Sequence, residues 1–321
     1  MKRKMLPLVF VMLAVFVAGC VGGGQTGAIT TGGTGLKILS FSPDQESVFG
    51  DKTAKLTLLI ENQGEFPIKD SESLIYLTGS NVNLYSSSAS STTTWINATP
   101  TDIAIKKIGK DMKAADMVRQ IPADQKELRW TVKAPALARG QTKTDTFTAR
   151  VYYNYTTRAY STVWVYSETE AAAIRAAKGT FEEPFSNSTK GPIKVEISYA
   201  PSSPTVSASD NTFTMYIKLT NIGGGVAFDG TKIDYTKDTP QDAIKLGEDD
   251  LNKVNIKIIA PNGMTITGCD GLQDMTGAVT QIPCDVTITA LPATKQGFSP
   301  IVDVKYGYYV DATTSITVSG K

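Results

Sequence analysis

An internal repeat is the feature of this sequence that most constrains its fold. Three pairs of matching segments occur in the same order along the chain: 37–43 with 195–201, 56–64 with 215–223, and 149–155 with 302–308. Both members of the second pair end in an Asn-x-Gly turn, and both members of the third pair carry two tyrosines at alternate positions. A repeat of this kind predicts two structural units that share one strand order.

The matched segments predict strands. Leu56, Leu58 and Ile60 occupy alternate positions in the first copy, and this period of two is typical of a half-buried antiparallel strand. A second strand follows each Tyr-rich segment at the same spacing, marked by Val163 in the first copy and Ile316 in the second. We therefore expect an all-β fold in which each copy is a β-sandwich that closes with a Tyr-rich hairpin.

Short helices are predicted at three places between the strands. Ser167 and Glu170 form a capping box before an alanine-rich segment, and Gly179 stands where a C-terminal cap belongs. This pattern predicts a helical connector over residues 168–178. Two further helices are expected, one around 110–120 and one from Thr239-Pro240 toward Leu246.

The first twenty residues have the three parts of an export signal. Residues 1–4 are basic, residues 5–17 are apolar, and the small pair Ala18-Gly19 precedes Cys20. The apolar part is shorter than the roughly 20 residues that span a bilayer as a helix, so we expect the signal to be removed. The tetrapeptide Val-Ala-Gly-Cys resembles the lipobox of prokaryotic lipoproteins, which implies that Cys20 is the lipid anchor. The alternative is an ordinary signal peptide that ends near a cysteine.

A segment rich in glycine and threonine, residues 21–35, offers almost no apolar side chain for a core. Such a segment is a flexible tether with a root-mean-square reach of roughly 20 Å. The expected organisation is a signal peptide (1–20), a tether (21–35), a first β-sandwich (36–167), a helical connector (168–190) and a second β-sandwich (191–321).

The cysteine count agrees with export. The chain has three cysteines, so lipidation of Cys20 leaves Cys269 and Cys284 as an even pair. In an oxidising compartment these two are expected to form a disulfide. The alternative is a pair of buried free thiols.

The composition opposes several classes of function. The chain has 32 basic residues, 31 acidic residues and no histidine; residues 1–20 hold three of the basic ones and no acidic one, which leaves a mature net charge of −2. This balance opposes nucleic-acid binding, and the lack of histidine removes the commonest general acid-base group and metal ligand. The acidic segments 247–250 and 270–274 lack the spacing of a calcium loop. We therefore expect no cofactor, no bound metal, no catalytic residue and no enzymatic activity.

The strand pattern, the Asn-x-Gly turn and the Tyr-rich closing segment resemble the immunoglobulin-like repeats of prokaryotic surface proteins, including the CARDB family and related archaeal envelope domains. The resemblance covers residues 36–166 and 192–319 and implies two tandem immunoglobulin-like sandwiches. It also implies adhesion or envelope scaffolding. We expect an extracytoplasmic protein on the outer face of the cell membrane, held by the lipid on Cys20, that binds another surface protein or a glycan. The alternative is an accessory or substrate-binding subunit of a membrane transporter or enzyme complex.

Three Asn-x-Ser/Thr sequons mark candidate glycosylation sites: Asn97, Asn154 and Asn187. Asn97 and Asn187 stand in polar stretches and are the better candidates.

Strand alternation also predicts an interaction surface. If Val151 and Val163 face the core, their neighbours face outward, and a closing hairpin would then bring four outward residues together: Arg150, Tyr152, Trp164 and Tyr166. Aromatic residues and arginine are enriched at binding hot spots. The alternative is that the connector helix, or the Ser/Thr-rich insertion at 86–94, folds over this face.

Overall fold

The structure is a computed structural model that describes residues 35–79, 81–84, 91, 93–98, 105–116 and 118–321. The signal segment with Cys20, most of the tether and most of the Ser/Thr-rich insertion lie outside the described residues. Within these ranges the chain is mostly β-sheet with largely antiparallel pairing. The all-β prediction is therefore confirmed.

Nineteen strands are present in the described part of the chain. The first copy contains β1 (Leu36–Pro43), β2 (Ser47–Phe49), β3 (Thr53–Asn62), β4 (Ser73–Gly79), β5 (Ile96–Asn97), β6 (Ile105–Lys106), β7 (Gln125–Lys133) and β8 (Thr142–Ser167). The second contains β9 (Phe185–Ser188), β10 (Ile193–Ala200), β11 (Thr205–Val206), β12 (Thr212–Asn221), β13 (Val226–Phe228), β14 (Lys253–Ile259), β15 (Met264–Thr267), β16 (Gly271–Asp274), β17 (Val279–Ile288), β18 (Lys295–Phe298) and β19 (Ile301–Ser319). Short 3-10 helices occupy Asp70–Glu72, Gly230–Lys232 and Glu248–Asp250.

The two copies each form a four-stranded sheet of the same design. The strand orders are β1-β3-β7-β5 and β10-β12-β17-β15. A third, eleven-stranded sheet lies against both and is built around β8 and β19, with β4 and β6 on one side and β14 and β16 on the other. Buried residues from all three sheets form one main hydrophobic core, so the layers are arranged as a β-sandwich.

The long strands β8 and β19 form the spine of the molecule. They pair antiparallel from Ile301 opposite Tyr160 to Ser319 opposite Thr142. The expectation of a closing hairpin in each copy is therefore wrong. In each copy the Tyr-rich segment and the strand that was expected to fold back on it form one continuous strand, β8 or β19. Residues 156–162 consist of Thr, Arg, Ala, Tyr and Ser, and they lack the glycine, proline or asparagine that a tight turn needs. Because β1 contacts β19 and β10 contacts β8, each copy's own sheet packs on a strand from the other copy. The domain boundaries stay a prediction.

Four tyrosines meet at the centre of the spine: Tyr153, Tyr155, Tyr306 and Tyr308. Tyr153 pairs with Tyr308 and Tyr155 with Tyr306. The hydroxyl of Tyr153 accepts a hydrogen bond from the Leu36 amide at 3.2 Å, and that of Tyr306 accepts one from the Ile193 amide at 3.2 Å. Burial raises the pKa of the Tyr308 phenol to about 12. The repeat therefore places equivalent phenols as neutral, hydrogen-bonded groups at the junction of the copies.

The Asn-x-Gly turns are confirmed and have the same hydrogen bonds in both copies. Asn62 Oδ1 accepts from the Gly64 amide at 3.1 Å, and Asn221 Oδ1 accepts from the Gly223 amide at 3.2 Å. Each asparagine amide donates to a carbonyl four residues later at 2.9 Å. The asparagine in each copy thus closes its own turn.

Two α-helices occur among the described residues, α1 (Glu168–Ala176) and α2 (Pro240–Ala243). As expected, α1 begins after Ser167, whose hydroxyl accepts from the Glu170 amide at 3.2 Å. At its end the left-handed residue is Lys178 (φ 53°), not Gly179. The helix expected around 110–120 is wrong, because the described residues there form isolated bridges, one at Met112 and one at Asp116.

The disulfide between Cys269 and Cys284 is confirmed. Their Cα atoms are 5.2 Å apart, and both cysteines are buried. Cys284 belongs to β17, and Cys269 lies in the loop between β15 and β16. Closing a loop of 15 residues stabilises a fold by about 3 kcal/mol. This bond therefore stabilises the four-stranded sheet of the second copy, β10-β12-β17-β15.

Candidate functional site

The residues of the interaction surface expected from the sequence lie at two separate places along β8. Arg150, Tyr152, Trp164 and Tyr166 occupy alternate positions on one face of β8, but Tyr152 and Trp164 stand twelve residues apart on this continuous strand. At about 3.3 Å per residue they are roughly 40 Å apart. The prediction of one four-residue patch is therefore wrong, since it depended on the closing hairpin.

The Arg150 end of that face is covered. Arg150 donates to both carboxylate oxygens of Asp311, at 2.7 Å and 2.6 Å, and its guanidinium lies 4.2 Å from the centre of the Tyr309 ring. The hydrogen bonds to Asp311 raise the pKa of Arg150. Tyr152 is only 4% exposed, because Phe228 packs edge-on against it at 6.0 Å. The connector helix, one of the covers considered from the sequence, does not supply this contact.

The cover is a segment of the second copy, residues 226–251, which lies over the first copy. It forms a second, smaller hydrophobic core with the first copy: Leu74, Ile105, Tyr152, Phe228, Ile233, Tyr235 and Ala243. Lys107 borders this core and donates to the carbonyl of Ser73 at 3.2 Å and to that of Tyr235. Desolvation lowers the pKa of Lys107. The outer face of the first copy is thus an internal interface.

The Trp164 end of the face is partly covered. Tyr166 is 1% exposed, with Phe181 edge-on at 5.1 Å and its hydroxyl accepting from the Glu182 amide at 2.9 Å. The segment that follows α1 therefore buries it. Trp164 is half-buried, and its ring lies 4.8 Å from Lys295 Nζ.

A cleft of about 700 Å³ opens near the middle of the spine. Its floor is the outer face of β8 and β19, and its walls come from the loop that contains Phe66 in the first copy and the loop that contains Gly230 in the second. Six charged side chains line it: Lys69, Glu72, Arg158, Asp229, Asp303 and Lys305. Both copies thus contribute to one mixed-charge concavity.

The charges in the cleft are partly neutralised by each other. Arg158 donates to both carboxylate oxygens of Asp303, at 2.7 Å and 2.9 Å. The hydrogen bonds from Arg158 lower the pKa of the Asp303 carboxyl. Lys305 is exposed and, among the described residues, forms no ion pair. The cleft can therefore hold a ligand that carries an anionic group near Lys305.

Sequence reasoning missed this cleft. Its lining comes from five segments that are distant along the chain, near residues 66–72, 154–158, 229–231, 255 and 303–306. One signal was available, because the repeat aligns Arg158 with Asp311 and Arg150 with Asp303. Opposite charges at equivalent positions indicate that the two copies meet along these strands.

The three sequons have different surroundings. The amide nitrogen of Asn97 donates to the Leu84 carbonyl. Asn154 lies in the cleft, and its Oδ1 accepts from the Tyr235 hydroxyl at 2.9 Å. Asn187 is exposed on β9. Glycosylation at these residues stays a prediction.

Two further searches concern only the described residues. None of their helices is long and apolar enough to cross a membrane. Within the same ranges, no group of three or more His, Cys, Asp or Glu side chains is arranged to hold a metal ion.

No family model matches this chain, and no curated protein matches it. The crystal structure of Spo0M, a sporulation control protein from Bacillus subtilis, is 7% identical, with 59% of this chain and 69% of that chain covered at a TM-score of 0.20. Elastase-activated Escherichia coli alpha-2-macroglobulin is 10% identical, with 89% and 32% covered at a TM-score of 0.20. Its native conformation is 9% identical, with 89% and 17% covered at a TM-score of 0.17. The chain spans about a third or less of the macroglobulin, and likenesses with such low TM-scores carry no argument about function.

Proposed function

We propose that this protein is a lipid-anchored cell-envelope protein that binds another surface protein through the cleft at the middle of the spine. The observation that carries the proposal is the cleft itself, which both copies build and which presents the exposed cation of Lys305. The Val-Ala-Gly-Cys pattern at residues 17–20 supports anchoring. The disulfide supports an oxidising, extracytoplasmic location.

In this proposal the copies are tandem immunoglobulin-like sandwiches of a prokaryotic, archaeal surface lipoprotein. The sandwiches comprise residues 36–167 and 191–321, and α1 belongs to the connector between them. The tether holds this body roughly 20 Å from the outer face of the membrane. The spine makes the body stiff because β8 and β19 are paired over the whole of β19. A stiff body on a flexible tether presents the cleft to neighbouring proteins.

A second candidate function is a substrate-binding or accessory subunit of a membrane transporter or enzyme complex. The volume of the cleft favours it, since about 700 Å³ falls within the range of small-molecule sites. A soluble anionic solute that binds in titration calorimetry, without any protein captured from native membranes, would favour this candidate over the first.

Anchoring predicts a clear effect of Cys20→Ser. The variant is expected to stay in the aqueous phase of a detergent partition, because it lacks the thiol that receives the lipid. The wild-type protein is expected in the detergent phase. Equal partitioning of the two proteins would contradict the lipid anchor.

Binding through the cleft predicts an effect of Lys305→Glu. This variant is expected to weaken capture of the partner from native membranes by about tenfold, equivalent to about 1.4 kcal/mol, because it reverses the exposed charge in the cleft. Lys55→Glu is the matched control, since Lys55 is exposed on β3 outside the cleft and the change in net charge is the same. Similar capture by both variants would show that the cleft is not the binding site.

A further inference from the structure

A row of exposed apolar side chains crosses the outer face of the large sheet in the second copy. Ile259 on β14 pairs with Ile301 on β19, and Ile301 pairs with Tyr160 on β8. On the next strand, β9, Phe185 pairs with Thr162. Ile259 is 44%, Tyr160 41% and Phe185 58% exposed. Four apolar side chains on four adjacent strands thus lie toward solvent, with Phe185 two residues further along than the other three, and we name them the apolar row.

The repeat provides an internal comparison for this row. The alignment of 149–155 with 302–308 places Thr148 at the position of Ile301 and Thr313 at that of Tyr160. Thr78 pairs with Thr148 and Thr148 with Thr313, so the equivalent row in the first copy consists of three threonines. The strand architecture therefore does not require apolar residues here. Exposed apolar residues at such positions indicate that something covers them.

A sequon lies within the row. Asn187 stands directly opposite Tyr160 on β9, and its amide nitrogen donates to the Tyr160 hydroxyl at 3.1 Å. Phe185 precedes it by two residues and therefore shares its face of the strand. A sugar attached to the Asn187 amide nitrogen would begin beside the Tyr160 hydroxyl, on the face of β9 that Phe185 shares.

We propose that Asn187 carries an N-linked oligosaccharide whose first sugars pack on Tyr160 and Phe185 and cover the apolar row. The inference rests on the proposed export of the chain. The apolar C–H faces of sugars suit contact with aromatic rings. The oligosaccharide also blocks β9, the edge strand beside β8, against pairing with another chain.

The modification is a glycosyl transfer from a lipid-pyrophosphate-linked oligosaccharide. The Asn187 Nδ2 forms a bond to the anomeric carbon, and the bond from that carbon to the pyrophosphate oxygen breaks. The lipid pyrophosphate leaves, and the proton lost from Nδ2 goes to it. The step needs no oxidant or reductant.

The other two sequons do not have this arrangement. Asn97 is half-buried, with its amide nitrogen donating to the Leu84 carbonyl, whereas Asn187 is exposed. The Asn154 side chain is held by the Tyr235 hydroxyl and lies beside Gly230 in the cleft, where an oligosaccharide would displace the cleft wall. The proposal therefore selects Asn187 among the three.

The first test is peptide mass spectrometry of the full chain purified from its own membranes. We expect a hexose- or hexosamine-containing mass on Asn187 and none on Asn154. The same digest reports the lipid on Cys20, which separates the possible failures. An unmodified Asn187 on a chain lipidated at Cys20 overturns this inference and leaves the proposed function standing. An unmodified Asn187 on a chain without that lipid overturns both.

The second test measures whether the oligosaccharide covers the row. Asn187→Gln is expected to raise the fluorescence of the apolar dye anilinonaphthalene sulfonate several-fold over wild type, because the row becomes open. The control adds Ile259→Thr, Ile301→Thr, Tyr160→Thr and Phe185→Thr to Asn187→Gln, which removes all four members of the row, and the signal is expected to return to the wild-type level. Equal dye signals from wild type and Asn187→Gln would show that the oligosaccharide does not cover the row.

Discussion

Asp303→Arg is expected to lower the free energy of unfolding by about 1–3 kcal/mol, because it removes the partner of Arg158 and places a second cation beside it at a nearly buried position. Asp303 is 6% exposed, and both of its carboxylate oxygens accept hydrogen bonds from Arg158. Lys257 and Lys305 also act on this carboxyl. An arginine at position 303 would face the cations of Arg158, Lys257 and Lys305, whose exposure lets solvent screen part of the repulsion. Denaturant unfolding followed by circular dichroism measures the loss.

The charge swap provides the decisive comparison for this variant. Arg158→Asp combined with Asp303→Arg restores an opposite-charge pair across the spine and is expected to recover at least half of the lost stability. Glu183→Arg makes the same change in net charge at an exposed position and is expected to stay within about 0.5 kcal/mol. If the swapped variant were no more stable than Asp303→Arg alone, the pairing of these charges would not be the cause.

The charges also determine which strands pair. β8 carries Arg150 and Arg158, whereas the equivalent repeat positions on β19 are Asp303 and Asp311. In the structure each arginine therefore meets an aspartate. Pairing of β8 with β8 of a second chain in the same register would instead place Arg150 opposite Arg158. Like charges directly opposite each other are destabilising, so the pattern favours the pairing within one chain.

The local features of the fold could be predicted from the sequence because their signals are local. The Asn62 and Asn221 turns, the strands around them, and the start of α1 at Ser167 all follow from residues within a few positions of one another. The disulfide followed from the cysteine count. The predicted hairpin was wrong because repeat alignment shows which segments match and does not show which strands pair. The lack of glycine, proline and asparagine in residues 156–162 was a signal against a tight turn there.

The candidate sites could be predicted only in part. Alternation correctly places Val151 and Val163 in the core and the neighbouring aromatic side chains on the opposite face. Whether that face is open depends on residues 226–251, most of which lie beyond the 3-10 helix that follows the Asn-x-Gly turn in both copies. The sequence signal for this extra segment was the distance from each Asn-x-Gly turn to the next long strand. In the first copy β4 begins soon after the Asn62 turn, whereas in the second copy β14 begins far beyond the Asn221 turn. The sequence does not show where such an insertion packs.

Phe228→Ala is expected to lower the free energy of unfolding by about 3–5 kcal/mol, as for other buried large-to-small aromatic changes. The Phe228 ring is fully buried between the copies, edge-on to Tyr152 at 6.0 Å. It fills the space over Gly307, where a side-chain carbon would lie 2.1 Å from the ring. Alanine would leave this space empty and weaken the contact between residues 226–251 and the outer face of the first copy.

The position of the residues that lose protection in Phe228→Ala distinguishes opening of residues 226–251 from a general loss of stability. Amide hydrogen exchange is expected to accelerate first in residues 226–251 and in β4, while β12 and β17 stay protected by their own sheet and the disulfide. Phe49→Ala is the matched control, since Phe49 is 55% exposed and is expected to change stability by less than about 1 kcal/mol. Uniform acceleration across all sheets would show that Phe228 supports the whole core. Acceleration limited to residues 226–251 and β4 would show that this segment is a separable cover, so that Tyr152 and Arg150 become accessible when it opens.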